Sequence, residues 1–210
     1  MTATWADPTA TWADTGYSWT GATPGRLRLT AILLSVALVV VAASCDYQIA
    51  RYRPDGSPVR WHPCTTVHYR INPAGMAVTE RQRIIDAMAA ASQATGIPVD
   101  YDGHTAATVA DSGALFYARP FSDPPAPSDG FTEVRTGPAG NWWQSGEVIF
   151  NTLRPPPVDA RTAAHEVGHL FGLAHPSSNA AAQVMGTHQP PYQPDDLAGL
   201  RAVGRQPGEC

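Results

Sequence analysis

His165 to His175 reads H-E-V-G-H-L-F-G-L-A-H, placing three histidines, one glutamate and two glycines within eleven residues. On a helix, His165 and His169 stand one turn apart on one face, so two imidazoles can grip one ion at roughly 2.0–2.1 Å. Glu166 lies beside that face. It is placed to take a proton from a water whose pKa the metal lowers from about 15.7 toward roughly 7. Gly172 falls where the helix should stop, because glycine accepts the left-handed conformation that turns a chain away from a helix end. That turn returns His175 as a third ligand. Three neutral nitrogen ligands leave a fourth position open, which separates a catalytic zinc from a structural one. Two histidines at i and i+4 also occur on ordinary half-exposed helix faces. With 7 His and 18 Gly in 210 residues, however, a random match to all five positions has a probability on the order of 10⁻⁵.

The extended string resembles the metzincin clan of zinc endopeptidases. That resemblance implies an α+β zincin domain: a mixed twisted sheet with a backing helix, an active-site helix and a C-terminal helix. It also implies a methionine in a tight turn beneath the metal, and Met185, in Val184-Met185-Gly186, stands in that position. Asp195-Asp196-Leu197-Ala198-Gly199-Leu200 resembles the opening of the last helix of matrixins, the matrix-metalloproteinase-like family, with acidic residues suited to the helix dipole. The likeness spans roughly residues 61–210 and is densest at 165–200. There are departures. Pro176 follows the third histidine where matrixins usually carry serine, as in serralysins, yet Thr187 stands where serralysins and astacins carry a tyrosine. Water activation is therefore expected to rest on Glu166 and Zn²⁺ alone. No P-R-C-G-x-P-D segment exists, so no cysteine-switch latency is carried over.

Composition sets the outer limits. The chain is 43% hydrophobic and 15% charged, enough for one domain of about 150 residues plus appendages. A net charge of −4, with 14 Lys and Arg that do not cluster, argues against nucleic acid as a partner. Leu29–Ala43 is a fifteen-residue run without charge, preceded by Arg26 and Arg28 and followed by Asp46. Residues 27–44 therefore read as a signal peptide or signal-anchor helix. The arginines favour a cytoplasmic N-terminus and an exported C-terminal part. This predicts an extracellular protein, secreted or tethered to the outer face of the cytoplasmic membrane. The segment contacts the membrane if it is not cleaved. Small residues at Ala42-Ala43-Ser44 suit a signal peptidase and leave Cys45 adjacent to the cut, where it is unpaired or lipidated. Residues 1–26, which repeat T-A-T-W-A-D at 2–7 and 9–14, are expected to be a disordered tail.

Of three cysteines, Cys64 opens the globular region and Cys210 ends the chain. An exported enzyme would tie these ends together. A loop that long is worth roughly 4–5 kcal/mol in the chain-entropy account. Residues 45–60, rich in Pro, Gly and Asp, read as a linker. Thr66–Ile71 has strand alternation, with His68 as a packing or surface residue. A helix capped by Thr79 and carrying Ile84, Ile85, Met88 and Ala91 runs to Ala94 and ends at Gly96. Strands follow at 98–101, 113–119, 131–136 and 147–151. The resemblance puts 131–136 at the sheet's edge, over the cleft, where an extended peptide can pair with it. Asp159 is expected to cap the active-site helix. Asp100, Asp102, Asp111 and Asp123 are candidates for additional structural Ca²⁺ or Zn²⁺, although loop carboxylates are usually solvated. The partner expected is a peptide or protein substrate, cut by a monomer. A rival reading is a non-catalytic zinc-binding extracellular surface protein. Glu166 separates the two, because a binding protein needs only the histidines.

Overall fold

Among the described residues, eight strands and three α-helices build an α+β structure in the order β1 Thr2–Thr4, β2 Gln48–Ile49, β3 Val67–Ile71, α1 Val78–Thr95, β4 Val99–His104, β5 Gly113–Arg119, β6 Gly130–Thr136, β7 Trp143–Asn151, α2 Ala160–Phe171, β8 Leu173–Ala174 and α3 Pro194–Val203. A short 3₁₀ turn at Ala180–Ala182 precedes α3. This computed structural model describes residues 2–4, 46–122, 128–154, 156–177, 180–187 and 190–210. The apolar segment 29–43, Cys45 and Asp123 lie outside the described residues. Among the described residues no helix is long and apolar enough to cross a membrane.

The sheet runs β1-β6-β7-β5-β3-β4. Strands β4, β3, β5 and β7 are mutually parallel, and β6 lies antiparallel to β7. Alternation decides which side is buried: Val67, Tyr69 and Ile71 of β3, Ala114 and Phe116 of β5, and Val148 and Phe150 of β7 face the helices. Ile84, Met88 and Ala91 of α1 and Val167, Leu170 and Phe171 of α2 fill the other side of that core. Each large apolar side chain buried there contributes roughly 1.5–3 kcal/mol. The opposite sheet face carries a smaller cluster of Leu115, Tyr117, Ile149 and Ala110.

Helix α1 starts two residues earlier than a cap at Thr79 would have it. Ala77 is the N-cap, and Glu80 reaches back to accept its N–H at 2.6 Å. Gly96, at φ +68°, ends the helix as expected.

Two expectations are corrected. Residues 46–60 are no free linker: β2 pairs antiparallel with β8, and Val59, Arg60 and Trp61 are buried. The Trp61 indole N–H donates to the Leu170 carbonyl at 2.9 Å, satisfying an acceptor that the end of α2 leaves without a helical partner. Turn-forming residues predict the local bends of this segment correctly, but its burial depends on distant partners. The second correction concerns the sheet's edge. Thr2–Thr4 pairs antiparallel with β6, setting Thr2, Ala3 and Thr4 opposite Arg135, Val134 and Glu133. A strand edge offers unpaired main-chain donors and acceptors to any extended segment, and Thr-Ala-Thr carries neither charge nor proline to oppose the pairing. A tail disordered throughout 1–26 is therefore not what these three residues form.

Cys64 and Cys210 are joined, across a separation of 146 residues. Arg60 reinforces that junction, donating to the Gly204 carbonyl and to Glu209.

Candidate metal centre

Helix α2 is started by Asp159, whose carboxylate accepts the Thr162 N–H at 2.6 Å. It is stopped by Gly172 at φ +104°. That glycine turns the chain back through β8, and the turn brings His175 against His165 and His169. The three Nε2 atoms lie 3.1, 3.1 and 3.2 Å apart. The chemistry of these nitrogens decides what they are for. His165 Nδ1 is 2.9 Å from the Val184 carbonyl and His169 Nδ1 is 2.8 Å from the Leu173 carbonyl. A carbonyl only accepts, so each Nδ1 carries the hydrogen and each Nε2 of a neutral ring presents a bare lone pair. Burial holds the rings neutral: desolvation is the main cause lowering His165 to about 4, and it likewise takes His169 well below its usual value. Lone pairs converging at this distance repel unless a cation sits among them. Nitrogens bound to one ion at roughly 2.0–2.1 Å in near-tetrahedral directions stand roughly 3.3 Å apart, close to the spacing found. The His165/His169/His175 group can hold a metal ion.

Glu166 is 4% exposed. Desolvation, the largest influence, pushes its carboxyl up to about 7 against the opposing hydrogen bond from Thr132. Such a carboxyl sits where a proton is readily gained and lost near neutral pH.

The floor of the site joins Met185 to contacts that local sequence does not show. Met185 packs against α2, where a Cβ on Gly168 would stand 2.2 Å from its Sδ. Gly168 is thus the gap in the helix that admits the methionine. Asp196, fully buried, accepts the N–H groups of Val184 at 2.9 Å, Met185 at 3.2 Å and Gln193 at 2.9 Å. Its carboxylate therefore pins the methionine turn as well as facing the start of α3. Tyr192 donates from its hydroxyl to the Ala164 carbonyl of α2 at 2.7 Å, and burial pushes that hydroxyl's pKa far up. Only the buried Asp-Tyr-Gly positions beside an H-E-x-x-H could have signalled this network, and their burial is not written in the local sequence.

The candidate carboxylates elsewhere fall apart differently. Asp100, Asp102 and His68 have ligand atoms within 4.8 Å of one another, all exposed. His68 Nδ1 and Asp102 Oδ1 are 2.9 Å apart, and Asp102 raises the His68 pKa. Asp111 is exposed and stands outside that group.

No protein-family model matches the sequence, and no curated protein matches it either. Among solved structures, metalloproteinase-II from Bacteroides fragilis is similar at 12% identity with a TM-score of 0.42, covering 81% of this chain and 61% of that one. The chain thus spans less than two thirds of that protein's length.

Proposed function

We propose that this chain is an exported, zinc-dependent endopeptidase with a metzincin-like, matrixin-like zincin domain. The observation that carries the reading is the convergence of three histidine Nε2 atoms within 3.2 Å of one another, with the buried Glu166 carboxyl on the helix that bears two of them. A structural zinc normally takes four protein ligands, and three nitrogens leave one position for chemistry.

His165, His169 and His175 would hold the ion. When bound, zinc polarises a scissile carbonyl and lowers the pKa of a coordinated water toward roughly 7. Glu166 takes the proton of the attacking water on its carboxylate and passes it to the leaving amine nitrogen. Strand β6 supplies the track for an extended peptide, pairing main chain to main chain and leaving selectivity to side-chain pockets. An extended segment, Thr2–Thr4, already pairs with residues 133–135 of that strand. Cleavage beside Ser44 would remove that segment. Retention of 29–43 as an anchor with a cytoplasmic N-terminus would put it on the other side of the membrane. In either exported form β6 is the open edge. The Cys64–Cys210 bridge fits an oxidising compartment.

The rival, a zinc-binding surface protein without turnover, keeps the histidines and has no use for Glu166. Glu166→Gln preserves size and leaves the ligands in place. It is expected to retain zinc and lose peptide cleavage by at least roughly 10²–10⁴-fold. Wild type that binds zinc yet cleaves nothing across a broad peptide library, or a variant that cleaves as well as wild type, favours the binding role.

A further inference from the structure

Strand β6 and helix α2 touch at two levels. At the entrance to β6, Asp129 holds Arg161 of α2 at 2.9 Å and Arg154 at 3.1 Å. Three residues on, the Thr132 hydroxyl lies 2.6 Å from Glu166 Oε2 and 3.1 Å from the Glu166 main-chain oxygen. Thr132 is 1% exposed, so water does not compete for these contacts. Both acceptors belong to one residue, and rotation of the hydroxyl between them stays on Glu166. The side chain offering it is β-branched, hence stiff at χ1, and sits on a strand paired on its inner side with Val148 of β7.

Gly130 faces the same carboxyl. A Cβ there would stand 2.7 Å from Glu166 Cγ and Oε1 and 2.9 Å from Cδ. The glycine is required for space: any side chain would drive the carboxyl from its present place. Glu166 is therefore confined on one side by the β6 backbone and tethered at Oε2 by Thr132. Oε1 makes no hydrogen bond among the described residues, so it is the oxygen free to exchange a proton.

We propose that Thr132 is a positioning residue for the hydrolysis, holding Glu166 Oε2 so that Oε1 stays aimed while it receives and releases the proton, with Gly130 supplying the room. This rests on the reading of Glu166 as general base. The proton leaves the attacking water for Oε1 and continues to the leaving nitrogen, while Oε2 accepts from Thr132 throughout. A charge-assisted hydrogen bond of this kind restricts where the carboxylate points as well as stabilising it.

The test compares Thr132→Val, which keeps the shape and removes the hydroxyl, with Thr132→Ser, which keeps the hydroxyl. Peptide cleavage is measured as kcat and KM, alongside zinc bound per chain. Thr132→Val is expected to lose kcat by roughly ten- to hundredfold, the usual effect of removing a group that orients a metal-site residue. KM should stay within about twofold and zinc content unchanged, because the substitution alters a buried side chain and leaves the β6 main chain that pairs with the peptide, and the histidines, as they are. Thr132→Ser should recover most of the lost rate. Valine with wild-type kcat, or serine as slow as valine, overturns the proposal. Should Thr132→Val fail to fold, serine against alanine makes the same comparison, since the two differ by one oxygen. Wild type that holds zinc and cleaves nothing defeats the protease reading and the positioning role with it. Wild-type cleavage that valine leaves unaltered defeats the positioning role alone.

Discussion

Removing the charge of Glu166 should stabilise the metal-free protein, and only above a particular pH. Its carboxyl lies at 4.5 in an unfolded reference and is pushed up to about 7 in the fold, chiefly by desolvation. A carboxyl whose folded value is raised contributes its full stability below the unfolded value and loses it as the pH climbs through the folded one. At roughly 1.36 kcal/mol per pH unit, the difference between 4.5 and about 7 amounts to about 3 kcal/mol lost by pH 8. The buried histidines work in the other direction. His165, lowered to about 4, and His169, also lowered, contribute stability above 6.5 that disappears as the pH falls. Both histidines remain in Glu166→Gln, so the difference between the two proteins isolates the carboxyl. The glutamine amide oxygen can still accept from Thr132, which keeps that hydroxyl partnered.

The assay is urea unfolding of chelator-stripped wild type and variant, disulfide intact, followed by far-ultraviolet circular dichroism from pH 4.5 to 8.5. The variant should match wild type near pH 4.5 and exceed it by about 3 kcal/mol at pH 8. A difference that stays flat across this range would mean that the carboxyl reaches solvent in the metal-free protein, and the argument from burial would fail.

Three further outcomes are expected. His169→Ala should abolish tight zinc binding, read as zinc per chain after dialysis; equal zinc in variant and wild type would exclude this centre. Gly168→Ala pushes a methyl into Met185 Sδ, at 2.2 Å for an unrelaxed Cβ, and should cost roughly 1–3 kcal/mol, with part of the loss recovered in the Gly168→Ala, Met185→Ala double variant. Thermal melts in a double-mutant cycle measure that coupling, and strict additivity would refute it. Replacing Cys64 and Cys210 together by serine should destabilise by roughly 2–5 kcal/mol, seen as a lower urea midpoint against wild type under non-reducing conditions.

What could be read from the sequence was whatever is local. The i, i+4 histidines, the glycine stop and the Asp159 cap are all decided within one helix and its two ends, and each stands where its spacing placed it. The same holds for the helical period of Ile84, Met88 and Ala91 and for Gly96 at φ +68°. Residues whose role depends on a partner far along the chain were read by their local habit instead. Asp196 has the look of a dipole-favouring residue in a first helical turn, and it is one, but its carboxylate is spent on N–H groups eleven and twelve residues earlier. Gly168 occupies a position that the metal-binding pattern leaves undefined, and only the methionine seventeen residues on explains why it lacks a side chain. Arg53-Pro54-Asp55-Gly56 bends as a turn should, while Val59 and Trp61 just beyond it sink into the core. Thr132 alternates like any strand residue, and nothing in T-E-V-R-T tells that its hydroxyl meets a carboxyl 34 positions away. The division has a physical cause. His165 and His169 are placed by helical geometry and His175 by the glycine turn that ends the helix, whereas the Glu166 carboxyl beside them is held by the strand that crosses over it. On the proposed zinc-peptidase reading, changes at the three histidines should therefore act on metal content, and changes at Gly130 or Thr132 on rate with the metal still bound.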